Sequence, residues 1–471
     1  MRFMFHPLLY DVVLTLSKSE LRRCGKLVRS PFFTHRSEME RMFTTLATCL
    51  YRGKPLPGKA TLFRKSFPEK PFDDLLLRAT MSDLKELIEE FLIWQNMRER
   101  SMQSKLVLAA AYRKRNLPKM FEKNARKLKK EMDKAKVQNV DFLQRRLDFQ
   151  LEKAQFQVRT QRATALPLQE ISNSLDTVYL AQKLRHACTQ LSHQAVFKTE
   201  YDFGLLPQVI EEVEKGGHLD TPAVALYYFC FRFLTAADGL PFFQKFRHEL
   251  QQNSHCFPGE ELKDLYLQAI NFCIRKLNEG QAPFVREGWE LYQEGLEKGF
   301  LLDQGRLSGF AFNNVVGFGI RLEKYEAVEQ FIEKYQSKLD HSQRESYAHF
   351  NLARLHYARR HLGEALRLLQ TADFKDLVNN LIAKTLQLRI YFELGEFDLL
   401  DSHLDSFRSF IHRREVSDFH RKNYLNIIGF VRKAMALPPG DKKAARDLRR
   451  AIEEEAVLTE RGWLLERVGG G

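Results

Sequence analysis

Between Tyr347 and Phe407 the chain repeats itself at a spacing of 35 residues. Ala353-Arg354-Leu355-His356-Tyr357 returns as Leu388-Arg389-Ile390-Tyr391-Phe392, and Leu362, Ala365, Leu369 and Ala372 return as Phe397, Leu400, Leu404 and Phe407. A weaker earlier copy sets Val316, Ile320, Tyr325, Val328, Ile332 and Tyr335 against Ala353, Tyr357, Leu362, Ala365, Leu369 and Ala372, at a step of 37. A helix-pair unit recurring at this period buries its apolar face only against its neighbours. The period therefore predicts a stacked α-solenoid, an architecture that offers a surface for a partner rather than a ready-made catalytic centre.

The rest of the chain agrees on fold class. Apolar residues recur at three- and four-residue spacing almost throughout, and strand signals are nearly absent, so the expected fold is all-α, an αα-superhelix with an N-terminal helical region. Ser17-x-x-Glu20 is a capping box opening a helix that carries Leu21, Cys24 and Val28 on one face. A long helix is expected from Asp73 to Glu99, with Asp73 and Asp74 at its positive end. Residues 101–165 read as a helical hairpin turning at Asn116-Leu117-Pro118, followed by a third helix. Glycine- and proline-bearing loops punctuate 168–300 at irregular intervals, which marks degenerate helix pairs. Pro438-Pro439-Gly440 ends the array, Asp441 caps a last long helix, and Arg461 to Leu465 form a closing segment. The expected division is an N-terminal helical region (1–100), degenerate hairpins (101–300), the regular repeats (301–437) and a capping helix with its tail (438–471).

Of 471 residues, 44% are hydrophobic and 28% charged, the balance of a folded chain. Its 37 phenylalanines suit the space between paired helices. The net charge of +14 is uneven: residues 1–165 hold 35 Lys and Arg against 18 Asp and Glu, and the remainder holds 39 against 42. An excess confined to one third points to an acidic partner for that third, a protein or a nucleic acid. Six scattered cysteines without a C-x-x-C pair fit a reducing compartment. Asp11 interrupts any signal-peptide core, and no run of 18 uncharged apolar residues exists, so a cytoplasmic location without membrane contact is expected.

The units at 346–379 and 380–414 resemble tetratricopeptide repeats, through Leu352-Ala353, Tyr357, Leu362, Ala365, Leu369 and Ala372 in the first and Tyr391, Leu394-Gly395, Phe397, Leu404 and Phe407 in the second. The resemblance implies helix pairs, with small residues at the closest crossing, that bind peptides or proteins. The whole chain also resembles an uncharacterised family of bacterial helical-repeat proteins. That likeness runs through Leu16-Ser17-Lys18-x-Glu20-Leu21, Arg29 to Phe33, Met81 to Leu84, Asn271 to Lys276, and Tyr292 to Phe300. It implies no activity.

No motif supplies chemistry. Gly58-Lys59-Ala60 lacks the spacing and the hydroxyl of a phosphate loop. Gly317-Phe318-Gly319 lies in a helical pattern, where glycine permits close helix contact. His-Glu-x-x-His is absent, and His349 and His356 read as packing residues, so no metal or cofactor is expected. No nucleophile or acid–base pair stands out, and the expected function is a non-catalytic protein-interaction scaffold.

Two surfaces are candidates. Arg354 and Arg389 share a repeat position that in tetratricopeptide arrays faces the groove, and Arg321 falls one helical turn past the equivalent position. Asn313, Tyr347, Asn351, Tyr357 and Phe392 are neighbours by helical spacing. The arginine fork suits an acidic peptide or a C-terminal carboxylate. Replacing Arg354 and Arg389 with alanine is expected to leave the fold intact and weaken partner capture. The competing reading is a nucleic-acid-associated factor acting through residues 113–136, where eleven Lys and Arg face three acids and Lys119, Lys123, Lys127, Lys130 and Lys134 share one helical face.

Overall fold

The computed structural model describes residues 7–160, 165–371, 377–414, 417–438 and 440–469. Ala372 and Pro439, named above in the repeat and at its end, lie outside the described residues. Among the described residues all regular structure is helical: 23 α-helices and three short 3-10 turns, with one isolated bridge between Asp303 and Arg306. The fold is all-α and solenoid-like. The chain divides into two compact units, Met1–Lys183 and Leu184–Gly471.

The first unit opens with α1 (Leu8–Thr15), α2 (Lys18–Val28), α3 (Ser37–Tyr51), α4 (Lys59–Ser66) and α5 (Asp74–Glu99). The capping box at α2 is formed in full: the Ser17 hydroxyl accepts from the Glu20 amide, and the Glu20 carboxylate accepts from the Ser17 amide at 2.7 Å. Leu21, Cys24 and Val28 are buried as their spacing requires. Asp73 caps α5 by accepting from the amides of Leu75 and Leu76. Helix α4 is an addition to the sequence reading; its apolar pair Leu62 and Phe63 is too short a signal to show a period.

Helices α6 (Ser101–Lys114), α7 (Pro118–Asp133) and α8 (Val140–Thr160) follow. Leu106, Leu128, Met132, Phe142 and Phe149 form their main cluster, beside a smaller one of Ala109, Phe121 and Phe156. The division between the units falls within α9 (Leu168–Phe197).

The second unit continues with α10 (Leu206–Lys215), α11 (Pro222–Thr235), α12 (Leu240–Asn253), α13 (Gly259–Asn278) and α14 (Phe284–Glu297). Phenylalanines do fill the space between these pairs: Phe233 meets Phe243, Phe246 and Phe272, with ring centroids 4.9–5.6 Å apart. The regular array comprises α15 (Gly309–Arg321), α16 (Tyr325–Tyr335), α17 (Arg344–Ala358), α18 (Leu362–Thr371), α19 (Leu377–Leu394) and α20 (Phe397–Arg413). Helices α21 (Asp418–Met435), α22 (Lys442–Glu454) and α23 (Arg461–Gly469) close it. Asp441 caps α22 through the amides of Lys443 and Ala444.

Consecutive helices pair, and the first helices of successive pairs also touch, α15 on α17 and α17 on α19. The repeated positions carry this packing. Val316, Ala353 and Leu388 are fully buried, as are Val328, Ala365 and Leu400. The turns repeat as well. Glu323, Arg360 and Gly395 all adopt positive φ, at steps of 37 and 35. Behind them the amides of Lys324, His361 and Glu396 reach back to the carbonyls of Gly319, His356 and Tyr391 at 2.9, 2.8 and 3.1 Å. This is the Schellman geometry, and two of the three units build it without glycine at the left-handed position.

Gly319 sits where α15 crosses its neighbours. A Cβ there would collide with Val328 Cγ2 and come within 2.6 Å of Trp289 Cζ3. Gly363, on α18, has nothing within 4 Å of such a Cβ. Gly319→Ala is therefore expected to destabilise the protein by about 1–3 kcal/mol through overpacking. Gly363→Ala is expected to stabilise by about 0.4–1 kcal/mol, because alanine restricts the unfolded chain. Denaturant midpoints of the two variants that move in the same direction would refute this assignment of the crossing.

Candidate functional site

The face built by α15, α17 and α19 carries an open groove of about 630 Å³. Arg321, Arg354, Tyr357 and Arg389 all line it, joined by Phe310, Asn379, Ile382 and Glu460. The repeat register thus brings the three arginines to one surface. Phe310 and Ile382 are 62% and 41% exposed, so the groove has apolar contacts to offer beside its cations.

The arginines differ in what holds them. Arg389 is engaged: its Nη1 lies 2.7 Å from Glu460 Oε2, its Nη2 donates to the Tyr357 hydroxyl at 2.9 Å, and its guanidinium stacks on Tyr357 and Trp463. Arg354 Nη1 donates to the Asn313 carbonyl at 2.9 Å and to Asn351 Oδ1 at 3.0 Å. Among the described residues no carboxylate forms an ion pair with Arg354 or with the exposed Arg321. Burial and the neighbouring Arg321 charge pull the Arg354 guanidinium down to about 10, only partly offset by Glu460. It remains a cation at neutral pH, one that an added anion would relieve. Gly317 makes room for it, since a Cβ there would stand 2.8 Å from Arg354 Nη2.

Of the other residues expected at the groove, Asn313 lines it, whereas Asn351, Tyr347 and Phe392 do not. Asn351 is fully buried beneath it, donating to Asn313 Oδ1 at 2.7 Å and to the Tyr347 carbonyl at 2.8 Å. Tyr347 is buried too, and its hydroxyl accepts from Asn379 Nδ2 at 3.0 Å. Asn313 completes the network by donating to Asn379 Oδ1 at 3.1 Å. These residues cross-link α15, α17 and α19 and set the floor of the groove. Phe392 packs edge-on against Phe397 and Trp463 instead of facing the groove. Arg389 likewise carries structural contacts, so replacing Arg354 and Arg389 together also removes contacts within the array, and Arg321 is the cleaner position to change.

Beside the groove, Glu393 anchors the closing helix α23. It accepts hydrogen bonds from Trp463 Nε1 at 2.7 Å, from Arg360 at 2.8 Å and from the Tyr357 hydroxyl, and Arg467 lies 3.1 Å away. Burial pushes its carboxyl up, but these hydrogen bonds and the charges of Arg467 and Arg360 outweigh burial and hold it below the usual carboxylate range. Sequence reading missed Glu393, Glu460, Phe310 and Ile382.

In the first unit, Lys119, Lys123, Lys127 and Lys130 are exposed on α7, and Lys134 follows its last residue. The basic stretch 113–136 is not one helix: Arg113 and Lys114 end α6, and α7 stops at Asp133. Arg113 is turned inward to a two-point pair with Glu152 at 2.7 and 2.8 Å.

Among the described residues no group of three or more His, Cys, Asp or Glu side chains is placed to hold a metal ion. No helix among them is long and apolar enough to cross a membrane. No protein-family model, no curated protein and no solved structure matches this chain.

Proposed function

We infer that the chain is a non-catalytic binding protein whose second unit holds an acidic segment of a partner protein in the Arg321–Arg354–Arg389 groove. One observation carries this reading: Arg321 and Arg354 line an open groove without a carboxylate partner among the described residues, next to exposed Phe310 and Ile382. Glu460 already gives Arg389 the group that the other two lack, and an incoming carboxylate would give them the same contact. The tetratricopeptide-like pattern of 346–414 supports the same role, because arrays of that kind present this face to peptides. Apolar side chains flanking the acids would rest on Phe310 and Ile382, and the polar network beneath would keep the arginines in place.

The test is binding of the full chain to arrayed peptides that place Asp or Glu beside Phe or Leu, each matched by an Asn or Gln counterpart. Arg321→Glu is expected to weaken binding of the acidic set at least about tenfold, since hydrogen bonds to charged groups contribute about 1.5–3 kcal/mol. Circular dichroism should be unchanged, because Arg321 is exposed at the end of α15. Equal binding of acidic and amide peptides, or an unaffected Arg321→Glu protein, would sink the reading.

A further inference from the structure

The groove leaves the charge asymmetry unexplained. Residues 1–183, the first unit, contain 36 Lys and Arg against 20 Asp and Glu. On α7 the excess is concentrated on one side. Lys119, Lys123, Lys127 and Lys130 are exposed, and among the described residues none of them is in an ion pair. With a rise of about 1.5 Å per residue they form a row about 17 Å long. Unpaired like charges so close together repel one another, and a polyanion laid along them removes that repulsion.

Round the helix from this row, on the side of α7 that meets α8, is a cavity of about 240 Å³. Its floor is apolar: Phe121 and Phe156 stack with centroids 3.9 Å apart, and Phe149 lies next to them. Its rim is cationic, with Arg126, Lys129 and Lys153. Glu122 also stands on the rim, 3.5 Å from Arg126. One polar group has nothing to bind: among the described residues the buried Gln157 Oε1 accepts no hydrogen bond. The volume falls below the range of about 300–1,000 Å³ typical of sites for drug-sized ligands, and suits a single flat heterocycle.

We propose that α7 and this cavity bind single-stranded nucleic acid, with one base seated in the Phe121–Phe149–Phe156 cavity against the Gln157 amide, its phosphates on the Arg126, Lys129 and Lys153 rim, and the strand continuing round α7 onto the Lys119–Lys130 row. The combination selects the partner. A base needs an apolar floor and a hydrogen-bonding edge, and its phosphates need cations a few ångströms away. An acidic peptide would use the row and leave the cavity empty. A duplex keeps its bases stacked inside and would do the same.

The site and the groove belong to different units and rest on different residues, so either reading stands without the other. The experiment is fluorescence anisotropy of the full chain with a labelled oligouridine of about 12 nucleotides, within the usual span of single-strand sites. It is repeated across salt, with an abasic strand of the same length and with polyglutamate of equal charge. Lys123→Glu/Lys127→Glu/Lys130→Glu, all at exposed positions, is expected to weaken binding at least about tenfold. It should also flatten the log–log salt dependence by about 2, given a slope near 0.7 per phosphate contact on single strands. The abasic strand is expected to bind at least about tenfold more weakly than the intact one, and Gln157→Ala to narrow that gap. Equal affinity for the abasic strand or for polyglutamate, or a triple variant that binds like the parent, overturns the proposal.

Discussion

Glu393→Ala is expected to lower the unfolding free energy by about 3–5 kcal/mol, the usual result of removing one partner from a buried ionic cluster. Only 4% of the Glu393 side chain is exposed, and it accepts from three donors and pairs with Arg467, partners drawn from three parts of the array. Tyr357 belongs to α17, Arg360 to the turn that follows it, and Trp463 and Arg467 to α23. Alanine strands the Trp463 N–H and the Tyr357 hydroxyl in the interior and leaves two guanidinium groups without their anion. The closing helix should loosen first, since its other anchors are the apolar contacts of Trp463, Leu464 and Val468. Urea unfolding reads the loss, and limited proteolysis between α22 and α23 reads where it begins. Glu393→Gln keeps one acceptor oxygen and should cost less. A Glu393→Ala midpoint equal to that of the parent would show that the apolar contacts alone hold α23.

The same carboxylate makes the array acid-sensitive in a defined direction. Its folded pKa lies below the ordinary value of 4.5. Its contribution is therefore complete above that value and is lost as pH falls through the folded pKa. Glu393→Gln removes a titrating group, so the gap in stability between parent and variant should be widest near neutrality and close as the pH drops below about 4.

The array was legible because packing there is periodic. Val316, Ala353 and Leu388 recur because each must fill the same gap between helices, and the same period carries Arg354 and Arg389 onto one face. Arg321 joins them from one turn further along, because residues three or four apart share a helix face. The same rule misled for Tyr347 and Asn351. They do share a face of α17 with Arg354, but the first turns of that face are covered by Asn313 on α15 and Asn379 on α19. Helical spacing gives a direction and says nothing of what lies there. Glu460 and Glu393 were invisible for a different reason. Arg389–Glu460 and Glu393–Trp463 each join the repeat to the closing segment across about 70 residues, and a charge on a helix reads the same whether it meets water or an arginine. Gly319 shows the opposite case: a residue unfavourable for helix formation inside a helical pattern signals a close contact, and Val328 and Trp289 stand there.

Arg247→Ala should be as costly as the loss of Glu393, again about 3–5 kcal/mol, and for the mirror-image reason. Here a buried cation on α12 holds a row of acids on α14. Arg247 is 7% exposed and grips Glu294 with both terminal nitrogens, at 2.8 and 3.1 Å. Glu287 and Glu290 lie at 3.4 and 4.0 Å, and the Tyr266 hydroxyl donates to Glu294 at 3.1 Å. Without the guanidinium, three glutamates within two turns face each other in a partly desolvated site. The pH dependence identifies the mechanism. In the parent, burial raises the Glu294 carboxyl, but the Arg247 hydrogen bonds and charge outweigh it and the net shift is downward, so this group's stabilisation is lost on acidification. In Arg247→Ala burial and repulsion act unopposed, the folded pKa rises above the unfolded one, and the variant should gain stability as pH falls from 7 towards 5. Arg247→Met with Glu294→Leu removes both charges of the closest pair and restores apolar volume, and should recover much of the loss. A loss in Arg247→Ala that is unchanged between pH 7 and 5 would mean that Arg247 acts by filling space, with its charge contributing little.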